Sequence, residues 1–356
     1  MGQRTRQMSH QTHGSLYVVI VLCALLLPAI PCQSQDPKVE RLLKQGQAAL
    51  DTEDFATAVS VFEEAERLAP ENLAANRGLL MSYLQSGRLT DAVDLGKKAV
   101  TRWPNDAQLR HWLGLAYFKE KMNEPALEAL KRSEGLDSSQ FGIHFDIALV
   151  WLSQEQYSPA ADELEKAIQL NSSDALAHVL LGRAYQNSNR TVKAIKEFQT
   201  ALKMKPNLPL AHYHLGFAYA SLGRDQEAIA EYQKEIAHSP DNPTVLYQLG
   251  HSLLETGDGK GALTSLRKAV ELDPQNQDAA YDLGKTLLLA NDTPAAVAAL
   301  RRAIELNPTN PSAHYQLSRA LEKSGQNEEA LRERQRFAEL KKTQTQSGGM
   351  ATARSQ

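Results

Sequence analysis

Beyond residue 38 the chain has no cysteine; Cys23 and Cys32, its only two, lie in the first 38 of 356 residues. The long remainder therefore needs no disulfide and offers neither a thiol nucleophile nor a thiolate metal site. It also lacks a Gly-rich phosphate loop, a nucleophile elbow and a metalloprotease helix. Positive charge is not in excess. The net charge is -3, and residues 1–38 carry Arg4, Arg6 and Lys38 against Asp36, a local +2 that leaves -5 for residues 39–356. That mildly acidic balance gives no electrostatic footprint for nucleic acid. No catalytic residue, cofactor or metal is expected, and nucleic acid is excluded as a partner.

Long apolar runs are almost absent as well. The exception is Leu16 to Ile30, about 15 residues, against the roughly 20 that span a bilayer comfortably. Arg4 and Arg6 precede it in a stretch without acidic residues, and polar residues follow from Gln33. This is the order of a secretory signal. Cys32 and Ser34 are small enough for cleavage after Ser34. Residues 1–34 are read as a signal peptide or an uncleaved N-terminal anchor, and 35–38 as a short linker. Without cleavage, residues 16–31 would tether the chain to a membrane. A lipid on Cys32 fits poorly, because Ile30-Pro31 stand where a lipoprotein signal has small residues. The chain is expected to be exported: periplasmic, secreted or membrane-anchored, facing outside the cytoplasm.

What the remainder has is a period. Nine blocks of 34 residues fit without a gap: 39–72, 73–106, 107–140, 141–174, 175–208, 209–242, 243–276, 277–310 and 311–344. One column is alanine in all nine: Ala58, Ala92, Ala126, Ala160, Ala194, Ala228, Ala262, Ala296 and Ala330. Twelve residues earlier stands a mostly small column: Gly46, Gly114, Ala148, Gly182, Gly216, Gly250 and Gly284, with Leu80 and Ser318 as exceptions. Two antiparallel helices joined by a short turn approach closely where each carries a small residue. Larger apolar residues surround these positions at helical spacing, as His212, Leu215, Gly216 and Tyr219 do. Pro70, Pro104, Pro206, Pro240, Pro274 and Pro308 punctuate the ends of second helices. Pro209, Pro243 and Pro311 suit first-helix starts, where a missing N–H loses no partner. A stacked array with no single compact core follows.

These in-phase small, large and proline positions resemble the tetratricopeptide-repeat family over residues 39–344. The resemblance implies an all-α fold, a right-handed α-α superhelix (a TPR solenoid) of antiparallel helix pairs. It also implies that first helices line a concave groove. Some positions depart from the pattern. Gln45 weakens the first unit. In the ninth, Arg334 suits a solvent-facing surface, and Phe337 replaces the alanine that would admit a further helix, so this unit reads as a cap. Glu235 occupies the same column, either reaching solvent or loosening the packing locally. Residues 345–356 are expected to form a disordered tail.

Histidines recur at one phase, His144, His178, His212 and His314, which suits repeat packing better than metal ligation. The groove face is the sharper question. Rotation by about 100° from the packing stripe places Tyr213, Tyr247, Tyr281 and Tyr315 in one column. Arg183, Phe217, His251, Lys285 and Arg319 form the next column. Upstream the same face is apolar and includes Phe118 and Phe145. A tyrosine column is also what first helices use to pack on one another. As a groove, it would offer an apolar part and a tyrosine/basic part to a peptide. Two groove chemistries of the family are not matched. Arg77 and His111 lack the asparagines of the chaperone-peptide clamp, and His214, Gln248, Asp282 and Gln316 stand where the glycosyltransferase has its asparagine ladder. The expected function is a non-catalytic exported scaffold that binds a protein or peptide in its groove. The alternative is a non-catalytic subunit or targeting arm of a cell-envelope enzyme or secretion complex.

Overall fold

The computed structural model describes residues 36–353, with side chains as far as residue 345. Residues 1–34, read above as signal or anchor, lie outside the described residues. The described residues form 18 α-helices and no strand. First helices are α1 (Pro37–Asp51), α3 (Leu73–Ser86), α5 (Ala107–Lys119), α7 (Phe141–Ser153), α9 (Ala175–Asn187), α11 (Ala211–Ala220), α13 (Pro243–Glu255), α15 (Gln277–Leu289) and α17 (Pro311–Lys323). Second helices are α2 (Phe55–Leu68), α4 (Leu89–Arg102), α6 (Asn123–Leu136), α8 (Tyr157–Leu170), α10 (Thr191–Met204), α12 (Asp225–His238), α14 (Gly259–Leu272), α16 (Thr293–Leu306) and α18 (Asn327–Ala353). The chain divides into two compact units between Val150 and Trp151, within α7. Each unit is a TPR-type α-α solenoid in which successive helices pack on one another. None of the described helices is long and apolar enough to cross a membrane.

The alanine column marks where the paired helices meet. Its first eight members are 0% exposed and Ala330 is 1% exposed. The glycine column serves the same approach. A Cβ on Gly182 would lie 2.5 Å from the Phe198 ring, and one on Gly216 would lie 2.7 Å from Tyr232. The Leu80 exception has a counterpart. Leu80 is fully buried in the small column, while Gly96 stands in the column that carries Phe62, Phe198 and Tyr232 elsewhere. A Cβ on Gly96 would lie 2.9 Å from Leu113 of α5, so the side chain that faces this glycine comes from the next first helix.

Turns and caps repeat with the same phase. Each of the nine links between a first and a second helix has one residue at positive φ: Glu53, Gly87, Lys121, Glu155, Asn189, Gly223, Gly257, Asn291 and Gly325. The αL residue ends the first helix in the usual way. Only four of these are glycine, so the remaining links hold a side chain in a conformation that costs about 1 kcal/mol or more. Seven of the nine first helices, all but α7 and α11, are capped by the residue before them. Asp106 Oδ1 accepts from Leu109 N–H at 2.8 Å, and Asp174 Oδ1 accepts from Ala177 N–H at 2.7 Å. Asn72, Asn242, Asn276 and Asn310 act alike.

At three junctions a tyrosine joins a second helix to the following first helix. Tyr83 donates to Glu63 at 2.9 Å and Tyr185 to Glu165 at 2.5 Å, while Tyr219 accepts from Gln199 at 2.8 Å. The guanidinium groups of Arg88 and Arg224 lie 4.4 and 4.5 Å from the Tyr83 and Tyr219 ring centroids.

Four expectations change. The 35–38 linker is partly helical, because Asp36 caps α1 through Lys38 N–H at 2.8 Å and Pro37 takes the first helical position. Pro209 does not start a helix; it lies in a turn, Leu210 has φ 61°, and α11 begins at Ala211. Glu235 does not reach solvent. It is 3% exposed and its carboxylate accepts from Leu210 N–H at 3.1 Å and Tyr213 N–H at 3.3 Å. Finally, residues 345–353 continue α18 instead of forming a disordered tail. Extending a formed helix avoids the cost of nucleation, and Thr345 bonds back to the Lys341 carbonyl at 2.9 Å. At the same end, Arg334 is solvent-facing and pairs with Glu322 at 2.8 Å, and the Phe337 ring lies 5.3 Å from that of Tyr315.

Candidate functional site

In the second unit, α9, α11, α13, α15 and α17 present the tyrosine and basic columns. Tyrosines in these helices divide into two sets by what their hydroxyls do. Tyr185 and Tyr219, on the stripe that faces the preceding second helix, are bonded within the protein. Tyr213, Tyr247, Tyr281 and Tyr315 make no hydroxyl hydrogen bond among the described residues. Their rings are partly used in packing. Tyr247 packs with Leu246, Ala269 and Ala279, and Tyr281 with Ala280, Ala303 and Ala313. Tyr213 lies among Phe217, His214 and Tyr232 at centroid distances of 6.3, 5.2 and 6.2 Å. Burial raises the Tyr213 pKa, and burial with Asp282 raises that of Tyr247, so both stay neutral donors at physiological pH. Phe217 is 38% exposed and Tyr315 is 40% exposed.

The basic column is largely neutralised from inside. His251 Nδ1 meets the buried Asp282 at 2.8 Å, and Lys285 Nζ meets Glu255 at 3.2 Å. Arg319 donates to Gln316 in its own helix at 3.2 Å. Arg183 is exposed and has no partner among the described residues. The column therefore holds one cation with nothing to bind.

In the first unit the face is closed. Phe145 is buried and stacks on Phe141 at 5.3 Å; Phe118 is half-buried in the core around Leu84 and Leu115. Its polar members are also engaged. Arg77 pairs with Asp106 at 2.5 Å and His111 with Asp146 at 2.6 Å. The residues named from the sequence thus separate into a packed set and a more open set centred on α9 and α11. Gln186 and His214 join the open set without having been expected there. Gln186 lies one turn beyond Arg183, and that spacing was a signal available in the sequence.

The recurring histidines are fastened at both ring nitrogens. His178 Nδ1 meets Glu197 at 2.6 Å and Nε2 meets the Ser172 carbonyl at 3.2 Å. His212 joins Glu231 and the Pro206 carbonyl, and His314 joins Glu333 and the Pro308 carbonyl. With acceptors at both nitrogens, the His178 ring donates from both only as the imidazolium. The hydrogen bond to Glu197 raises the His178 pKa, and that to Asp282 raises the pKa of His251. A raised folded pKa contributes stability that is complete below the unfolded value of about 6.5 and is lost as pH rises through the folded value. His178→Gln should therefore lower the melting midpoint most near pH 6, by about 1–2 kcal/mol equivalent, and progressively less above pH 7. A difference that stayed constant with pH would show a neutral ring in the folded state.

The chain belongs to the tetratricopeptide-repeat family. Tetratricopeptide-repeat models match residues 43–107, 145–209, 179–243 and 247–311, and another matches residues 287–336. No curated protein matches the sequence. Among solved structures the chain is similar to the APC/C hetero-tetramer Cut9-Hcn1, at 18% identity and a TM-score of 0.51, over 75% of this chain and 52% of that one. It thus spans about half the length of that relative. It is also similar to YrrB, described as a TPR protein with an unusual peptide-binding site, at 24% identity and a TM-score of 0.47, over 52% of this chain and 96% of that one. A third is TTC0263, a thermophilic TPR protein in Thermus thermophilus, at 21% identity and a TM-score of 0.43, over 51% of this chain and 99% of that one. These likenesses concern the fold.

Proposed function

We propose that the chain is a non-catalytic scaffold that binds a protein or peptide segment on the first-helix face of its second unit. The observation that carries this reading is the split among the tyrosines. Inward tyrosines are bonded, whereas Tyr213, Tyr247, Tyr281 and Tyr315 form a line of unbonded hydroxyls on successive helices. Tyrosine supplies contact area and a polar tip at low entropic cost, which suits a peptide backbone running across the repeats. We also propose export. Arg4 and Arg6 followed by the apolar run Leu16 to Ile30 support it, and N-terminal sequencing of the mature protein distinguishes cleavage from anchoring.

The test must remove hydroxyls without removing packing. The triple variant Tyr213→Phe, Tyr247→Phe, Tyr281→Phe keeps the rings that fill the helix junctions. It is expected to weaken partner capture from an envelope fraction by tenfold or more, at about 0.5–1.5 kcal/mol for each hydrogen bond lost. Circular dichroism and the melting curve should stay near those of the unchanged chain. Full capture by this variant would overturn the groove. Recovery of one stoichiometric enzyme, instead of several clients sharing a sequence feature, would assign the chain to an enzyme complex.

A further inference from the structure

The face around α9 and α11 is short of an acceptor. Arg183 is exposed with no partner among the described residues, while His251, Lys285 and Arg319 each have one within the protein. One turn further along α9, the side-chain nitrogen of Gln186 is buried and has no hydrogen-bond acceptor. A buried N–H left in this state is costly, and a charged acceptor satisfies it best. Arg183 and Gln186 are three apart on one helix and so share a face.

Neither α9 from Ala175 to Asn187 nor α11 from Ala211 to Ala220 contains Asp or Glu. The carboxylates that meet these two helices from α8, α10 and α12 are already bonded: Glu165 to Tyr185, Glu197 to His178, Glu231 to His212, and Glu235 to the Leu210 and Tyr213 N–H groups. His214, on α11, does not compete for an anion as a cation. Burial, with a smaller part from the charge of Arg183, pushes its pKa down to about 4. α9 and α11 are neighbouring first helices in contact, and Arg183 and Phe217 hold the same repeat position on them. Three residues on from His214, Phe217 is the exposed aromatic of α11, with Tyr213 in ring contact with it.

We propose that Arg183 and Gln186 form an anchor for a carboxylate, and that Phe217 and Tyr213 receive a large apolar residue beside it. The occupant is a partner peptide in which an acidic group neighbours an apolar side chain. The planar fork of arginine suits a carboxylate bidentately, and the amide of Gln186 supplies a further donor. This rests on the reading that the face binds peptides, and it names the chemistry that the face selects.

The carboxylate has two sources, an acidic side chain or a chain terminus. Three fluorescein-labelled peptides separate them, each with Leu-Phe between Gly/Ser flanks. One has Asp after Phe and an amidated terminus. One has Asn there and an amidated terminus. One ends at the Phe with a free carboxylate. Fluorescence anisotropy with the full chain should show at least one carboxylate peptide binding about tenfold or more tightly than the neutral one, with the preference weakened by salt. In Arg183→Gln the preference should fall below about twofold while the neutral peptide binds as before. Equal binding of all three, lost in Phe217→Ala, would overturn the anchor and keep the groove. A preference that survived Arg183→Gln would likewise overturn the anchor. No saturable binding of any peptide would overturn both readings.

Discussion

Gly182→Leu should lower the stability of the second unit by about 3 kcal/mol, and Phe198→Gly in the same chain should restore at least half of that loss. A Cβ at position 182 would sit 2.5–2.9 Å from three atoms of the Phe198 ring, which is itself 0% exposed and has no space to move into. Overpacking of this kind costs about 1–3 kcal/mol, with more expected for a four-carbon side chain. The gain in helix propensity over glycine offsets at most about 1 kcal/mol of it. The rescue follows because Phe198→Gly removes the ring that the new side chain would strike. Chemical denaturation followed by circular dichroism measures the loss. Amide exchange in α9 and α10 should report it first, because an array of repeats responds locally. If the two substitutions simply add, the columns do not share one volume.

Glu235 sets up a second result with a reversal of sign. In α12 the position of Glu235 belongs to the column that holds Ala65, Ala99, Ala167, Ala201, Ala269 and Ala303 elsewhere. The carboxylate of Glu235 replaces a cap that α11 cannot get from its own sequence. Leu208 stands where Asp174 and Asn242 cap the neighbouring first helices, and α11 has no side-chain cap of its own at Leu210. Glu235→Ala should cost about 2–3 kcal/mol, from two backbone donors left unmet and from the space vacated. Leu208→Asn alone should be neutral or destabilising, because it competes with Glu235 for the Leu210 N–H and weakens the hold on a buried charge. Combined with Glu235→Ala it should stabilise, by restoring the asparagine–alanine combination of the following repeat. Melting midpoints of the four proteins decide this. A stabilising effect of Leu208→Asn in both backgrounds would mean that Glu235 does not cap α11.

The repeat was legible because it depends on contacts that recur at a fixed distance along the chain. The alanine column, the prolines beyond second helices and the Asn/Asp before most first helices each act within one helix pair. The candidate site was legible only in part. The columns of Tyr213, Tyr247, Tyr281 and Tyr315 and of Arg183 to Arg319 could be assigned by rotation about a helix. Which of their polar groups are occupied could not, because the partners come from other helices. His251 is neutralised by Asp282 from 31 residues away, and Lys285 by Glu255 from 30.

The sequence by itself determined the all-α class, the 34-residue period and the residues that end each helix, since these follow from periodicity and local backbone chemistry. Tertiary structure decided which irregularities carry meaning. Along the chain Glu235 is a polar residue in a small column, and only the packing of α12 against the start of α11 makes it a cap. Arg183 is there one cation among several, and only the pairing of the others leaves it as the one without a partner among the candidate residues. The physical reason is the same in both cases. A charged group is defined by the groups that meet it in space, and those lie tens of residues away in the chain.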